Sequence, residues 1–203
     1  MKTSNKFTLS RLVFAPVFFL IYNIPLWTGN DLLAKISAFI MIPLLAVFEL
    51  TDYFDGHYAR KNGEVSDFGK LFDPFADVML NLTVFACSLK SIDSSMGSYI
   101  PLVIFVFIMY REFSQSFLRM VATRQGIAIA ARKGGKIKTV FYNISGFAFL
   151  AVESVIRLGI LDFSAYYSIV KYVLTGFFAV CLLLSYISFI DYLKNFSSVF
   201  KNA

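Results

Sequence analysis

Apolar residues in this chain come in long unbroken runs, separated by brief polar interruptions. The runs span 10–27, 32–54, 67–89, 99–118, 138–157 and 166–190. Each is at or near the roughly 20 residues that a helix needs to cross the hydrocarbon layer of a bilayer. Because the runs are continuous rather than alternating, they argue against a β-barrel, whose strands switch faces at every residue. The breaks at 27–31, 60–64, 91–95 and 158–162 are short and rich in Gly, Asn, Asp and Ser, while the break at 119–138 is longer and basic. Short connections favour a compact bundle of neighbouring helices. The pattern predicts an all-α, polytopic membrane protein with six transmembrane helices. We expect it to be a single domain over 1–203, with 1–9 as a juxtamembrane N-terminal segment.

Composition sharpens that reading. The chain is 58% hydrophobic and 16% charged, with 24 Phe, 11 Tyr and a mean hydropathy of +0.68. A water-soluble domain carries about 25% charged residues. The first apolar run follows Lys2, Lys6 and Arg11 but lacks a small-residue cleavage site, so it reads as a retained span, not a removable leader. Cys87 and Cys181 fall inside apolar runs and read as small packing residues.

Charge orients the bundle. Fifteen of the nineteen Lys and Arg lie at the N-terminus, the 2–3 loop, the 4–5 connection and the C-terminus, leaving Lys35, Lys90, Arg157 and Lys171 towards the other side. The positive-inside rule then places both termini at the cytoplasmic face of the cell membrane. The net charge of +6 suits anionic headgroups and anionic substrates, and we expect no nucleic-acid partner.

The candidate chemistry sits between Asp52 and Asp77. Asp52, Asp55, Gly56 and Ala59 follow i, i+3, i+4, i+7 and share one helix face; Gly69, Asp73 and Asp77 follow i, i+4, i+8 on the next helix. A short loop between the two stripes would gather four carboxylates. One Asp at a helix end reads as solvated, but four do not. Asp77 lies about 12 Å along its helix from Gly69, among Phe72, Phe75, Val78, Met79 and Leu80. Without cations such a cluster would repel itself and retain protons. Two divalent ions would resolve this, and ions of that kind hold phosphates. Pro74 should either distort the first turns of this helix or mark where regular helix begins.

The full pattern Asp52-x2-Asp55-Gly56-x2-Ala59-Arg60-x8-Gly69-x3-Asp73-x3-Asp77 resembles the signature of the CDP-alcohol phosphotransferase family, integral membrane enzymes that make phospholipids. The resemblance implies that Asp52, Asp55 and Asp73 ligate two divalent cations, Mg²⁺ or Mn²⁺, with Asp77 sharing a metal and acting as general base. It implies that Gly56, Ala59 and Gly69 line the nucleotide and that Arg60 holds the diphosphate. Ser66 reads equally as a helix N-cap or as a nucleotide contact. Asn5-x2-Thr8-x2-Arg11 is similar to the family's N-terminal motif, in which Asn and Thr approach the cytidine diphosphate. Ser4 stands where the motif has Pro, and a basic segment lying on anionic lipid is the alternative reading.

Past the fourth run, Arg111-Glu112-Phe113-x2-Ser116-x-Leu118-Arg119 and Gly134-Gly135-Lys136-Ile137-Lys138-Thr139 supply cations that could grip a second phosphate: Arg111, Arg119, Lys136 and Lys138. These segments resemble those of the phosphatidylglycerophosphate synthases, a bacterial branch of the same family. Gln115, Phe117 and Val78 depart from that branch. The resemblance implies transfer of a phosphatidyl group from CDP-diacylglycerol to glycerol 3-phosphate, by a homodimer embedded in membrane lipid. Same-family synthases for phosphatidylserine, phosphatidylinositol phosphate or cardiolipin, and CDP-choline-type enzymes, are the alternatives. An ion or proton transporter could also use intramembrane carboxylates, although here the acids cluster at one end. His57 is expected to have no catalytic role, Glu112 to orient a neighbouring Arg, and Glu153 with Arg157 to form a structural i, i+4 pair. Glu49 reads either as support for the acidic site or as an interfacial residue.

Overall fold

The computed structural model describes residues 3–61, 67–126, 133–162 and 164–196, with side chains over 9–51, 72–126, 134–162 and 164–196. Six helices follow in order: α1 (Thr3–Thr28), α2 (Asp31–Lys61), α3 (Asp67–Cys87), α4 (Leu102–Arg124), α5 (Lys133–Leu158) and α6 (Tyr167–Asn195), the last preceded by a 3₁₀ turn at Ser164–Tyr166. No strand occurs among the described residues. The protein is an all-α helical bundle.

The helices close into a ring. α1 packs on α2 and α3, α2 on α5, α5 on α6, α6 on α4, and α4 on α3, with α3 also meeting α5 across the middle. Polar breaks in the sequence become the corners. At 27–31, Gly29 takes a positive φ of 64° and donates its N–H to the Pro25 carbonyl at 2.9 Å, which ends α1. The Asn30 side chain then accepts the Leu33 N–H at 3.0 Å and caps α2. Between α3 and α4 the chain makes a compact loop, pinned by Tyr99 N–H to the Ser88 carbonyl (2.9 Å) and by the Tyr22 hydroxyl to the Lys90 carbonyl (2.7 Å). In this loop the Tyr167 hydroxyl donates to Asp93 at 2.7 Å and holds that carboxyl below its ordinary pKa. Pro74 lies inside α3, so regular helix begins seven residues before it, at Asp67.

Aromatic rings fill the centre. Phe85 meets Phe178 edge-on at 5.0 Å and Tyr142 at the same centroid distance, and Phe149 contacts both Tyr22 and Tyr99. Cys87 and Cys181 are buried and free, as packing residues should be. The outer surface is equally apolar: Leu9, Val13, Val17, Leu20, Ile24 and Trp27 stand exposed along α1 at steps of three or four residues. A patch of that size facing water would be unsustainable in a monomer; facing acyl chains it costs nothing. Leu9–Thr28, Asp31–Thr51, Gly134–Leu158 and Ser164–Asn195 are long and apolar enough to cross a membrane. The chain is therefore a multi-pass membrane protein, with four of its six helices qualifying as spans by length and composition alone. α4 carries Arg111, Glu112 and Arg119, which dilute its apolar character while facing inward.

Glu153 and Arg157 tie the loop end of the bundle together. The Glu153 carboxylate, fully buried, accepts from the Ser91 hydroxyl (2.8 Å), the Tyr99 hydroxyl (2.6 Å), the Ile92 N–H (3.1 Å) and Arg157 Nε (2.7 Å). Arg157 in turn donates to the Ser37 hydroxyl (2.6 Å) and the Tyr22 carbonyl (3.1 Å), stacked 4.4 Å over the Tyr22 ring. Every arm of the pair has a partner, so this is an internal clamp joining α1, α2, α5 and the α3–α4 loop. Glu153→Gln leaves the Arg157 charge uncompensated and should cost about 2 kcal/mol of stability. Thermal unfolding in detergent should show the loss, with substrate affinities of the surviving protein unchanged.

Candidate functional site

The acidic stripe forms on α3 because helical backbone stacks residues four apart. Asp73 and Asp77 are both half-buried, and the Asp77 side chain is 40% exposed. From α1, Arg11 reaches across and donates Nη1 to Asp77 Oδ1. Arg11 is only 1% exposed, so this ion pair is anchored from the buried side while the carboxylate keeps an open face. The contact spans 66 positions of sequence, and no local spacing points to it.

The backbone of α2 is helical through Lys61 and that of α3 from Asp67. Positions 52, 55, 56 and 59 thus share one face of α2, and 69, 73 and 77 one face of α3. The side chains of Asp52, Asp55, Gly56, Ala59, Arg60, Gly69, Asn5 and Thr8, and Ser66 altogether, lie outside the described residues. Two carboxylates one turn apart on α3 are hard oxygen donors of the kind a divalent cation takes, with Arg11 competing for one oxygen of Asp77. Asp73 and Asp77 would be two ligands of such a cation.

A basic pocket stands beside this stripe, on α4, α5 and α6. Its centre is Glu112, 2% exposed, whose carboxylate accepts from Arg111 Nη1 (2.8 Å), Lys138 Nζ (2.9 and 3.1 Å) and the Tyr142 hydroxyl (2.8 Å). Arg111 Nε also donates to the Ser185 carbonyl at 2.8 Å. Glu112 does orient Arg111, as expected, and it engages Lys138 as well. Lys138 therefore acts first as a strut for Glu112, not as a loose cation waiting for phosphate. Lys136 is exposed, on a different side of α5 from Lys138, since residues two apart on a helix do not face the same way. The structure does not bring Lys136 into the pocket.

Arg119 links the two halves. Two turns along α4 from Arg111, it interacts electrostatically with Arg111, Glu112, Tyr192 and Asp77. Its Nε is buried without a hydrogen-bond partner, and so are Gln115 Oε1 and the Tyr192 hydroxyl. The sequence assigns no site role to Gln115, noted there only as a departure from the related branch, and none to Tyr192. The spacing 111, 115, 119 would have put Gln115 on the arginine face, but nothing local pointed to Tyr192. Glu49 accepts from Asn143 Nδ2, joining α2 to α5 next to the acidic helices. Gly134 on α5 faces Ser188 on α6, where a Cβ would make only ordinary contact, 3.7 Å from the Ser188 side chain.

Comparison with known proteins matches residues 1–190 to the family described as CDP-alcohol phosphatidyltransferase. A protein of Treponema pallidum named CDP-diacylglycerol–glycerol-3-phosphate 3-phosphatidyltransferase is 33% identical over 205 residues, covering 99% of this chain and 92% of its own. The Bacillus subtilis protein of the same name is 34% identical over 66% of this chain and 69% of its own length. A probable phosphatidylglycerophosphate synthase of Mycobacterium tuberculosis is 36% identical over 67% of this chain and 59% of its own.

Proposed function

Because the chain belongs to the CDP-alcohol phosphatidyltransferase family, we propose that it transfers the phosphatidyl group of CDP-diacylglycerol to glycerol 3-phosphate, yielding phosphatidylglycerophosphate and CMP. One observation carries the choice of acceptor: Arg119 lies within electrostatic reach of Asp77 on one side and of the Glu112-ordered Arg111 on the other. In this reading a guanidinium that holds the acceptor phosphate lies within electrostatic reach of the residue suited to deprotonate a hydroxyl. An acceptor carrying both a phosphate and a free hydroxyl matches that pairing, and a neutral or zwitterionic alcohol would leave the arginines idle. The names of the relatives support the same reading.

In this mechanism the acyl tails of the donor stay in lipid and the CDP head meets the ends of α2 and α3. Asp52, Asp55, Asp73 and Asp77 would hold two divalent cations, Mg²⁺ or Mn²⁺, which when bound offset the charge of the diphosphate and of departing CMP. Arg119 and Arg111 orient the acceptor phosphate. Asp77 takes the proton of the acceptor's primary hydroxyl, whose oxygen attacks the β-phosphorus as the bond to the bridging oxygen of CMP breaks. Positioning and charge stabilisation supply most of the rate. Gly56, Ala59, Arg60, Ser66, Gly69, Asn5 and Thr8 would contact the donor. The crowding of Lys and Arg at one end of the bundle supports a cytoplasmic active site in the cell membrane, and family resemblance supports a homodimer.

CMP release by purified protein in detergent with CDP-diacylglycerol and Mg²⁺, comparing glycerol 3-phosphate with serine, inositol phosphate and phosphatidylglycerol, tests the reading. Turnover with glycerol 3-phosphate alone is expected; preference for another alcohol would overturn the acceptor. Arg119→Ala should raise KM for glycerol 3-phosphate about 10- to 100-fold, the worth of a charged hydrogen bond, with KM for CDP-diacylglycerol little altered.

A further inference from the structure

Gln115 stands on the arginine face of α4, one turn after Arg111 and one turn before Arg119. It is 9% exposed, and its Oε1 is buried with no hydrogen-bond partner. A buried amide left unpaired is costly and rare in native structures. Two more unpaired buried polar atoms accompany it, Arg119 Nε and the Tyr192 hydroxyl, and Arg119 and Tyr192 interact with each other. Gln115 and Arg119 lie one turn apart on α4, and Tyr192 interacts with Arg119, so each of the three has an unmet demand for a ligand group. Arg119 Nε can only donate and suits a phosphate oxygen; the tyrosine hydroxyl can do either; an amide oxygen can only accept and therefore needs an O–H or N–H facing it.

A phosphate monoester alone does not satisfy this set, because a phosphate dianion has no hydrogen to offer Gln115. We propose that Gln115 is a specificity-determining residue that accepts a hydrogen bond from the secondary hydroxyl of the acceptor, the group next to the carbon bearing the phosphate ester. This deepens the proposed function and rests on it. Arg119 and Arg111 select for the phosphate, Asp77 acts on the reacting hydroxyl, and Gln115 reads the hydroxyl between them. Sites built to hydrogen-bond a substrate hydroxyl reject the analogue that lacks it, because the protein group is then left buried and unpaired.

The test uses the full-length enzyme in detergent and two acceptors, glycerol 3-phosphate and 3-hydroxypropyl phosphate. The second keeps the phosphate and the primary hydroxyl but has hydrogen in place of the secondary hydroxyl. For the unaltered protein, kcat/KM should favour glycerol 3-phosphate by about tenfold or more. In Gln115→Leu and in Gln115→Met, which keep similar bulk without the amide, the preference should fall to about twofold or less, chiefly by loss of activity towards glycerol 3-phosphate. A merely structural role for Gln115 would lower both acceptors together and leave their ratio intact. Equal use of the two acceptors by the unaltered protein overturns the proposal without any variant, as does an undiminished preference in either variant. CMP release with neither acceptor, together with release on another alcohol, overturns the proposed reaction itself, a result distinct from equal use of both.

Discussion

Asp77→Asn is expected to lower kcat by at least about 10³-fold, since in the proposed mechanism it removes both the general base and a charge from the stripe that would hold the metal. The structure adds a second expected effect. Arg11, buried to 1% exposure, is paired with this carboxylate. An asparagine keeps an oxygen for the Arg11 N–H but not the charge, so the variant should also be less stable by roughly 1–3 kcal/mol. The two losses separate experimentally. Single-turnover CMP release, normalised to folded protein from size-exclusion chromatography, reports the chemical step, and thermal unfolding reports the pairing. A variant within tenfold of full activity would remove Asp77 from the role of base. If the variant were inactive yet as stable as the parent, Arg11 would be placing the carboxylate without depending on its charge.

Glu112→Ala should be the most destabilising single change in the basic pocket. Its carboxylate holds Arg111, Lys138 and Tyr142 at once; without it two cations face each other in a buried space. Removing one partner from such a network costs about 3–5 kcal/mol, which for a chain of this size corresponds to a fall of roughly 10 °C in the unfolding midpoint. KM for glycerol 3-phosphate should rise as well, because Arg111 loses the contact that sets its orientation. Glu112→Gln should be milder in both respects, since an amide oxygen can still accept one of the donors. Unchanged stability in Glu112→Ala would mean that the cations leave the pocket freely and that Glu112 is not its centre.

Much was legible in the linear sequence because it depends on short spacings. Helix phase is a local property, so the sharing of a face by Asp73 and Asp77, or by Arg111, Gln115 and Arg119, follows once the segment is helical. The long apolar runs report the bilayer, which acts on each segment separately. Even so, composition groups Lys136 with Lys138, although only one of two residues at that spacing can face the pocket. Helix phase separates them, since α5 begins at Lys133 and carries both lysines in its opening turns.

What the sequence by itself determined, then, is the class of protein and the identity of its chemically charged segments. Runs of apolar residues must take helical form in lipid to satisfy their backbone, and carboxylates in such runs need a compensating charge. Which charge compensates which carboxylate was decided only by the tertiary structure. Arg11 meets Asp77 because α1 packs on α3, and Arg111 reaches the Ser185 carbonyl because α4 packs on α6. In each case the partners lie more than 60 residues apart in sequence. Pairings of this kind depend on the order of helices around the ring, and that order is set by the packing of side chains along the whole length of each helix, which no local motif encodes.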